Sequence, residues 1–256
     1  VQGIDWFDGA VMNCIWRGPR LSDLLKSAGV QDELSDDEVK RAHVAMSCHQ
    51  TPCQEDTWYG ASIPLSRALD QDYDVIVALE MNDAPLTPEH GAPMRVIVPG
   101  VAGARSVKWV DRITVQMVES PNFYQQHDYK VLPPEAEDSE SAKVWWHQVP
   151  ALQEMPINSA VGVPANESVV RRDGEGVVRV KGYALPSGSN GPVVKVEVSG
   201  DDGKSWVEAE IEDVPKEVSG RGRMLWSWSL WTARVKMEGG KGKKILSRAM
   251  DRAGEV

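Results

Sequence analysis

Basic side chains and glycine-rich turns are concentrated in the segment Pro88–Trp109, PEHGAPMRVIVPGVAGARSVKW. Its basic residues are His90, Arg95, Arg105 and Lys108. The segment has a single acidic residue and three glycines, which let the backbone approach a ligand closely. Backbone N–H groups beside cationic side chains suit an anion, so the segment is a candidate phosphate or oxyanion site. A solvated basic loop is the alternative that these residues leave open.

Strands and turns must position these side chains. The apolar pattern predicts strands at Met94–Val98 and Ile113–Val118, with a short helix at Ser106–Asp111 between them. A longer apolar strand is predicted at Asp74–Met81, where the turn Asn82–Pro85 ends it. The basic segment is therefore predicted to lie on a strand–loop–helix arrangement.

The overall composition is that of a soluble globular chain with an acidic balance. The chain has 256 residues, with 28 Lys and Arg against 38 Asp and Glu and a formal charge of -10. This balance argues against a nucleic-acid partner, because such binding depends on neutralising phosphates. The apolar runs are too short to span a bilayer. The chain opens at Val1 without a Met or a leader pattern, so we expect an interior segment of a longer protein.

The three cysteines, Cys14, Cys48 and Cys53, are an odd number that builds no disulfide framework. Two of them lie near His43 and His49, which raises the possibility of a zinc site. Structural zinc sites usually draw paired ligands from two places, and the sequence has no second cluster. Reduced, mostly structural thiols are the favoured interpretation.

The first half of the chain has an α+β pattern. Helical and strand signals alternate over residues 1–130, beginning with an amphipathic helix that starts near Leu21 and that Gly29 closes. Residues 131–156 are predicted to be a solvated connector, because they are rich in proline and acidic side chains.

Residues 157–256 have an all-β pattern. Gly200–Lys204 predicts a hairpin turn, after which Trp206 begins the returning strand. The spacing of Trp226 and Trp228 predicts a further strand with one buried face. Short strands joined by such turns indicate an immunoglobulin-like sandwich.

Several motifs in a fixed order carry a family resemblance. HGAPMRVIVPG is followed by GARSVKW, DYK, GYALPSG, VEVSGDDGKSW and LWSWSLW. In this order they closely resemble the sulfite oxidase family of molybdenum-pterin enzymes, whose near relatives include the eukaryotic nitrate reductases. The resemblance implies an α+β fold, with a mixed α/β molybdopterin domain of the sulfite oxidase type at residues 1–130. After the connector 131–156 it implies an immunoglobulin-like β-sandwich for dimerisation at 157–256, with both domains truncated.

The resemblance also implies roles for individual residues. The residues that match pterin contacts are His90, Arg95, Ser106, Val107 and Lys108. Tyr129 matches an active-site tyrosine, whose phenol can donate a hydrogen bond to a substrate, and Trp6 matches a tryptophan that lines the substrate pocket. Arg105 is expected to be a surface or ion-paired residue, and Tyr59 a packing residue.

The resemblance does not supply a metal ligand within this sequence. The family's metal-ligating cysteine lies in a segment that this sequence does not contain, and Cys14 does not align with it. No metal ligand is therefore predicted here, and the segment alone is expected to be inactive. The family also has an acidic pterin contact in the region of Ser47–Asp56, where neither Glu55 nor Asp56 can be assigned to it.

The implied activity is the oxidation of sulfite to sulfate by oxygen-atom transfer, with a molybdenum–molybdopterin cofactor and a homodimer formed through the C-terminal β domain. The motif DYK favours this activity. The motifs WRGPRLSDLL and ESPNFY favour nitrate reduction instead. A non-catalytic β-sandwich binding module is an alternative of another class. The sequence leaves three alternatives for the electron acceptor: a haem domain outside this segment, a cytochrome or oxygen. The expected location is the mitochondrial intermembrane space or the peroxisome in a eukaryote and the periplasm in a bacterium.

Overall fold

Short strands outnumber helices in the structure, a computed structural model that describes residues 11–256. The described chain divides into two units. The first contains Cys14–Glu154, and the second contains Met155–Val256 together with residues 11–13. Each unit has its own cluster of buried apolar side chains.

The first unit combines six short helices with eight strands. The helices are α1 Leu21–Ser27, α2 Val30–Glu33, α3 Asp36–Arg41, α4 Leu65–Leu69, α5 Phe123–Gln126 and α6 Ser139–Ala142. The strands are β1 Trp16–Arg17, β2 His43–Cys48, β3 Tyr59–Pro64, β4 Ile76–Ala78, β5 Glu80–Met81, β6 Ala84–Pro85, β7 Arg95–Ile97 and β8 Arg112–Gln116. They form three antiparallel sheets in the orders β3-β2-β8, β1-β5-β6 and β4-β7.

The central strand β2 positions the core of the first unit. Its alternate residues Val44, Met46 and Cys48 are buried, as the period of two in a half-buried strand requires. The strand pairs with β3 on one side and with β8 on the other. Val96 of β7 and the neighbouring Val107 belong to the same buried cluster, so the basic segment is attached directly to the core.

Of two local predictions in this unit, the helix near Leu21 is confirmed, and the strand at Asp74–Met81 is present in two parts. α1 begins at Leu21 and ends before Gly29, which has a φ of 78°. The apolar segment predicted as one strand at Asp74–Met81 is two short strands instead, β4 and β5. The two strands belong to different sheets, since β4 pairs with β7 and β5 lies between β1 and β6. Leu79, between the two strands, donates its N–H to the Arg17 carbonyl in β1.

The short helix predicted at Ser106–Asp111 is wrong. A 3₁₀ turn lies earlier, at Gly103–Arg105, and the residues after it are irregular. The Val107 carbonyl accepts a hydrogen bond from Val96, and Val110 donates to the Met94 carbonyl. These backbone groups therefore bond to the β7 segment and are not available for helical i to i−4 bonds.

The second unit is a sandwich of two antiparallel sheets, which confirms the predicted fold class. Its strands are β9 Asn158–Val163, β10 Val177–Leu185, β11 Val193–Ser199, β12 Val207–Glu208, β13 Glu210–Ile211, β14 Ser229–Lys236 and β15 Leu246–Asp251. The sheets have the orders β13-β14-β10-β9 and β12-β11-β15. The predicted hairpin is present, since β11 and β12 pair antiparallel on either side of the turn at Gly200–Lys204.

The prediction of a strand with a buried face at Trp226 and Trp228 is wrong. Both tryptophans precede β14, and neither is fully buried. The buried face of β14 belongs to Trp231 and to the alternate residues after it, and Trp231 is 0% exposed. A run of closely spaced tryptophans does not show where the strand begins. The predicted strand therefore starts several residues before β14.

No helix within residues 11–256 combines the length and the apolar character that crossing a membrane requires.

Candidate functional site

A left-handed turn at Gly91 brings the basic side chains together. The 3₁₀ turn Pro88–His90 ends at Gly91, which has a φ of 106°. A β-carbon at this position would lie 3.0 Å from Cβ of Lys108 and 3.2 Å from Cβ of Arg95. The absence of a side chain at Gly91 therefore lets the stems of two cationic residues pack against the same turn.

Arg95 holds the two halves of this site together through its guanidinium. Its Nη1 donates to the His90 carbonyl at 3.1 Å, and its Nη2 donates to the Ser106 carbonyl at 3.1 Å. The guanidinium also lies 4.9 Å from the centre of the Trp16 ring. Its Nε is buried and has no hydrogen-bond partner among the described residues. Burial lowers the pKa of Arg95.

Lys108 lies beside the same turn. Its Nζ donates to the Glu89 carbonyl at 3.0 Å and lies 4.3 Å from the centre of the Trp109 ring. Burial lowers the pKa of Lys108, and the positive charge of Arg95 lowers it further. Within residues 11–256 neither cation forms an ion pair with a carboxylate. The site therefore has a local positive charge that an anion would stabilise.

The other predicted pterin contacts are held by hydrogen bonds within the fold. The Ser106 hydroxyl accepts a hydrogen bond from the Val98 N–H at 3.0 Å. Val107 is 1% exposed, so its side chain belongs to the core and only its backbone can face a ligand. Nδ1 of His90 lies 2.7 Å from the Thr87 hydroxyl, which fixes the orientation of the imidazole.

Tyr129 is anchored through its backbone and leaves its side chain accessible. The residue is 40% exposed and has a φ of 50°, an uncommon value for a residue with a side chain. Its carbonyl accepts a hydrogen bond from the Leu152 N–H at 2.9 Å. Burial raises the pKa of Tyr129, and the charge of Asp128 raises it further. The phenol is therefore protonated at neutral pH and can donate a hydrogen bond.

The expectation that Arg105 is a surface or ion-paired residue is wrong. Arg105 is 0% exposed, and its guanidinium donates to three backbone carbonyls. These carbonyls belong to Tyr124, Tyr129 and Leu152, which lie 19 to 47 residues away in sequence. Because backbone acceptors have no signature in the sequence, local residue types could not reveal this role.

In the region Ser47–Asp56, where no acidic pterin contact could be assigned, the carboxylate of Asp56 bonds within the fold. Asp56 accepts hydrogen bonds from the Asn122 side chain and from the Phe123 N–H, so its carboxylate is committed to the start of α5. His49 instead pairs with Asp111, whose carboxylate lies 2.9 Å from His49 Nδ1. The packing role expected for Tyr59 is confirmed, since its ring lies against Tyr124, with a centroid separation of 5.1 Å.

The structure brings most of the predicted site residues into one neighbourhood. Arg95 joins the backbone of His90 to that of Ser106, and Lys108 packs on the same turn. Tyr129 is connected to this neighbourhood through Arg105, which immediately precedes Ser106 in the chain. Trp6, the predicted substrate-pocket residue, lies outside the described residues.

The residues present fit a phosphorylated cofactor. The buried Nε of Arg95 lacks a hydrogen-bond partner among the described residues, and the close packing of Gly91 against Lys108 and Arg95 keeps both cations at the same turn. The cations without carboxylate partners suit a phosphate.

The three cysteines are free, and residues 11–256 contain no group of three or more His, Cys, Asp and Glu side chains that could hold a metal ion. Burial raises the pKa of Cys14, which disfavours the thiolate form that binds metals.

Comparison with known proteins shows two matching family models. Residues 1–124 match the oxidoreductase molybdopterin binding domain, and residues 149–256 match the Mo-co oxidoreductase dimerisation domain. Mitochondrial sulfite oxidase of Drosophila melanogaster is 42% identical over 258 residues, covering 100% of this chain and 41% of the fly protein. The sulfite oxidase of Arabidopsis thaliana is 34% identical, covering 100% of this chain and 64% of the plant protein.

A nitrate reductase and a solved structure are also similar. The NADH nitrate reductase of Ulva prolifera is 36% identical over 237 residues, which are 91% of this chain and 27% of that protein. The crystal structure of the sulfane dehydrogenase SoxCD from Paracoccus pantotrophus superposes with a TM-score of 0.66 at 26% identity. The match covers 92% of this chain and 51% of that chain.

These matches define the class of the protein as a molybdopterin-binding oxidoreductase with a dimerisation domain. Within that class the chain belongs to the sulfite oxidase family, as its motifs predict. The chain spans between 27% and 64% of the length of the three curated relatives described above.

Proposed function

We propose that the full-length protein oxidises sulfite to sulfate by oxygen-atom transfer, as a molybdenum-dependent enzyme. Identities of 34% to 42% with sulfite oxidases along the whole chain support this activity. The structural observation that carries the proposal is the cationic turn around Gly91, which is joined through Arg105 to the backbone of Tyr129. This arrangement combines an anchor for a phosphorylated cofactor with a hydrogen-bond donor for an oxyanion substrate.

The anchor consists of His90, Arg95, Lys108 and the turn Ser106–Val107. The cations would bind the phosphate of a molybdenum–molybdopterin cofactor, which suits them because they have no carboxylate partners among the described residues. Ser106 and the backbone of Val107 would hold the pterin. When bound, the cofactor supplies the redox chemistry, while the protein supplies orientation and charge.

Tyr129 is the proposed catalytic residue. Because its pKa is raised, its phenol keeps its proton at neutral pH and can donate a hydrogen bond to an oxygen of sulfite. A donor held in place by the fold lowers the cost of orienting the substrate. Trp6 is the proposed lining residue of the substrate pocket.

Sulfate formation by the full-length protein tests this assignment. Wild-type enzyme is expected to convert sulfite to sulfate, and Tyr129→Phe is expected to lower kcat on the order of 10²-fold, as the loss of one positioned donor does elsewhere. Tyr73→Phe, a substitution away from the site, provides the matched control. Equal rates for wild type and Tyr129→Phe would contradict the role of Tyr129.

Nitrate reduction is the second candidate function. The 36% identity with a nitrate reductase over 91% of the chain favours it. The motif DYK, which contains Tyr129, favours sulfite. The two activities are measured on the same enzyme preparation, so the assay distinguishes them directly.

The C-terminal unit supports a proposal about assembly. Its match to a dimerisation domain supports a homodimer formed through residues 157–256, with residues 1–130 as the cofactor domain and 131–156 as the connector. The electron acceptor would be a haem domain elsewhere in the protein, a cytochrome or oxygen. The proposed compartment is the mitochondrial intermembrane space or the peroxisome in a eukaryote and the periplasm in a bacterium.

A further inference from the structure

Arg105 is a fully buried cation whose hydrogen-bond partners are all uncharged, while the charges of Glu119 and Asp128 act on it without an ion pair. Its Nη1 donates to the Tyr124 carbonyl at 2.9 Å, its Nε to the Leu152 carbonyl at 3.1 Å and its Nη2 to the Tyr129 carbonyl at 3.3 Å. Among residues 11–256 no carboxylate forms an ion pair with it. Burying a charge is unfavourable unless hydrogen bonds compensate, so the guanidinium depends on these three acceptors.

The three acceptors lie on chain segments that Arg105 joins to the cofactor turn. Tyr124 is in α5, Tyr129 follows that helix, and Leu152 lies near the end of the first unit. Arg105 itself ends the 3₁₀ turn Gly103–Arg105, which the Tyr59 hydroxyl holds by donating to the Ala104 carbonyl at 2.8 Å.

Tyr129 has an unusual backbone conformation, and its N–H donates to the Asp128 carboxylate at 2.8 Å. A φ of 50° is sparsely populated by residues with a side chain and persists only where the surroundings fix it. Among residues 11–256 the Tyr129 carbonyl accepts hydrogen bonds from Arg105 and from the Leu152 N–H, and Arg105 also holds the Leu152 carbonyl. The guanidinium carbon lies 5.9 Å from the centre of the Tyr129 ring, so Arg105 lies near the side chain as well as the backbone of this residue.

The same turn fixes the cofactor side of the site. Ser106 follows Arg105 directly, and its carbonyl accepts a hydrogen bond from Arg95 at 3.1 Å. A displacement of Arg105 would therefore move Tyr129 relative to Ser106 and to the residues that follow it.

We propose that Arg105 is a positioning residue that sets the position of Tyr129 relative to the cofactor-binding turn. The inference rests on the proposed function, since it assumes the roles assigned there to Tyr129 and to Ser106–Lys108. Arg105 acts through Tyr129 and need not touch the substrate.

A double-mutant cycle in the full-length holoenzyme tests the proposal. Arg105→Met, Tyr129→Phe and the double variant are compared by kcat and KM for sulfite, with rates normalised to molybdenum content. Arg105→Met is expected to lower kcat on the order of 10²-fold, as a small misplacement of a reacting group does. The double variant is expected to be no slower than Tyr129→Phe alone, because both substitutions remove the same interaction.

Arg67→Met is the matched control. Arg67 is also buried and bonded to a backbone carbonyl, that of Pro99, and it lies 4.2 Å from the centre of the Tyr73 ring. Unlike Arg105, it also pairs with a carboxylate, that of Glu154, at 2.7 Å. It is expected to lower the unfolding temperature without lowering kcat. Arg105→Lys keeps the charge and is expected to recover part of the lost rate.

A second readout does not depend on turnover. 3-Fluorotyrosine placed at position 129 is expected to change its ¹⁹F chemical shift and to titrate at higher pH in Arg105→Met, because Arg105 lowers the pKa of Tyr129. Arg67→Met is expected to leave the signal unchanged. An unchanged signal in Arg105→Met, or rate losses that add in the double variant, would overturn the proposal. If the wild-type protein does not oxidise sulfite, the proposed function fails, and if Tyr129→Phe retains the wild-type rate, the catalytic role of Tyr129 fails. In either case the fluorine signal alone decides whether Arg105 positions the tyrosine.

Discussion

At the scale of single residues, the site is defined by cations without carboxylate partners among the described residues. Arg95 and Lys108 bond to carbonyls, and burial lowers the pKa of each. In an acidic protein with a formal charge of -10, such a local positive charge must be built by the fold. A bound phosphate would raise the pKa of both cations and stabilise the folded state.

Substitution of Lys108 should weaken cofactor retention. Lys108→Met removes one charge-assisted hydrogen bond, which is worth roughly 1.5–3 kcal/mol and corresponds to a loss of about 10- to 100-fold in cofactor affinity. Molybdenum content and extracted pterin fluorescence after dialysis measure the effect. Lys143→Met, whose lysine pairs with Glu140 on the surface, is the control and is expected to retain the cofactor. Equal retention by the two variants would contradict the assignment of Lys108.

His127 should make the stability of the first unit depend on pH. Burial lowers its pKa, and the nearby His147 and Lys130 lower it further. The folded state therefore favours the neutral imidazole of His127. The free energy of unfolding falls once the pH drops below the pKa of the unfolded chain, about 6.5, because the unfolded state then binds the proton more readily. The fall ends below the lowered pKa of the folded state, where both states are protonated.

The free energy of unfolding at about pH 7.5 and about pH 5 checks this expectation. His127→Gln is expected to lose less stability than wild type between these two conditions. His43, whose pKa burial also lowers, is present in both proteins, so the difference isolates His127. Identical losses in the two proteins would show that His127 does not titrate differently on folding.

At the scale of elements, the geometry of the site depends on the turn at Gly91, which joins the 3₁₀ turn Pro88–His90 to β7. Gly91 has a φ of 106°, and Trp109 N–H donates to its carbonyl at 3.3 Å. The turn is therefore fastened to the segment that carries Lys108. Only a residue without a side chain fits this conformation without displacing Lys108 or Arg95.

Gly91→Ala should destabilise the first unit by about 1–3 kcal/mol, because alanine is strained at this φ and its β-carbon contacts Lys108 at 3.0 Å. Gly103→Ala is the matched control in the same segment, since a β-carbon there has nothing within 4 Å and Gly103 does not have a positive φ. Urea unfolding measures both variants. A Gly103→Ala variant as unstable as Gly91→Ala would show that the turn geometry is not the cause.

Local patterns predicted the elements whose signals are complete within a short window. The periodic leucines and Gly29 placed α1, and the Gly-Asp-Asp-Gly sequence from Gly200 placed the hairpin. The helix predicted at Ser106–Asp111 failed because its backbone groups bond to β7, which lies earlier in the chain. Trp231 was missed as the buried tryptophan for a related reason, since strand pairing sets which face of β14 is inward.

The candidate site was predictable only where a motif carried it. The resemblance selected His90, Arg95 and Lys108, and the structure places them around one turn. It did not select Arg105, because the carbonyls that explain its burial are backbone groups up to 47 residues away. Contacts of this kind depend on tertiary structure and have no local sequence signal.

At the scale of the whole molecule, two separate buried clusters indicate that each unit has a core of its own. The second unit matches the dimerisation domain, and we propose that the chain associates through it. The full-length protein is therefore expected to have twice the mass of one chain in solution, and a version that ends at Pro156 is expected to have the mass of one chain. Light scattering measures both. A truncated version that still forms dimers would refute the assignment.

The most direct test of the central claim is the comparison of kcat/KM for sulfite and for nitrate with one preparation of the full-length protein. Molybdenum content normalises the two rates, and Tyr129→Phe is measured beside wild type. The predicted result is sulfate formation from sulfite that Tyr129→Phe lowers on the order of 10²-fold, with little or no nitrate reduction. Reduction of nitrate without oxidation of sulfite would contradict the proposed function.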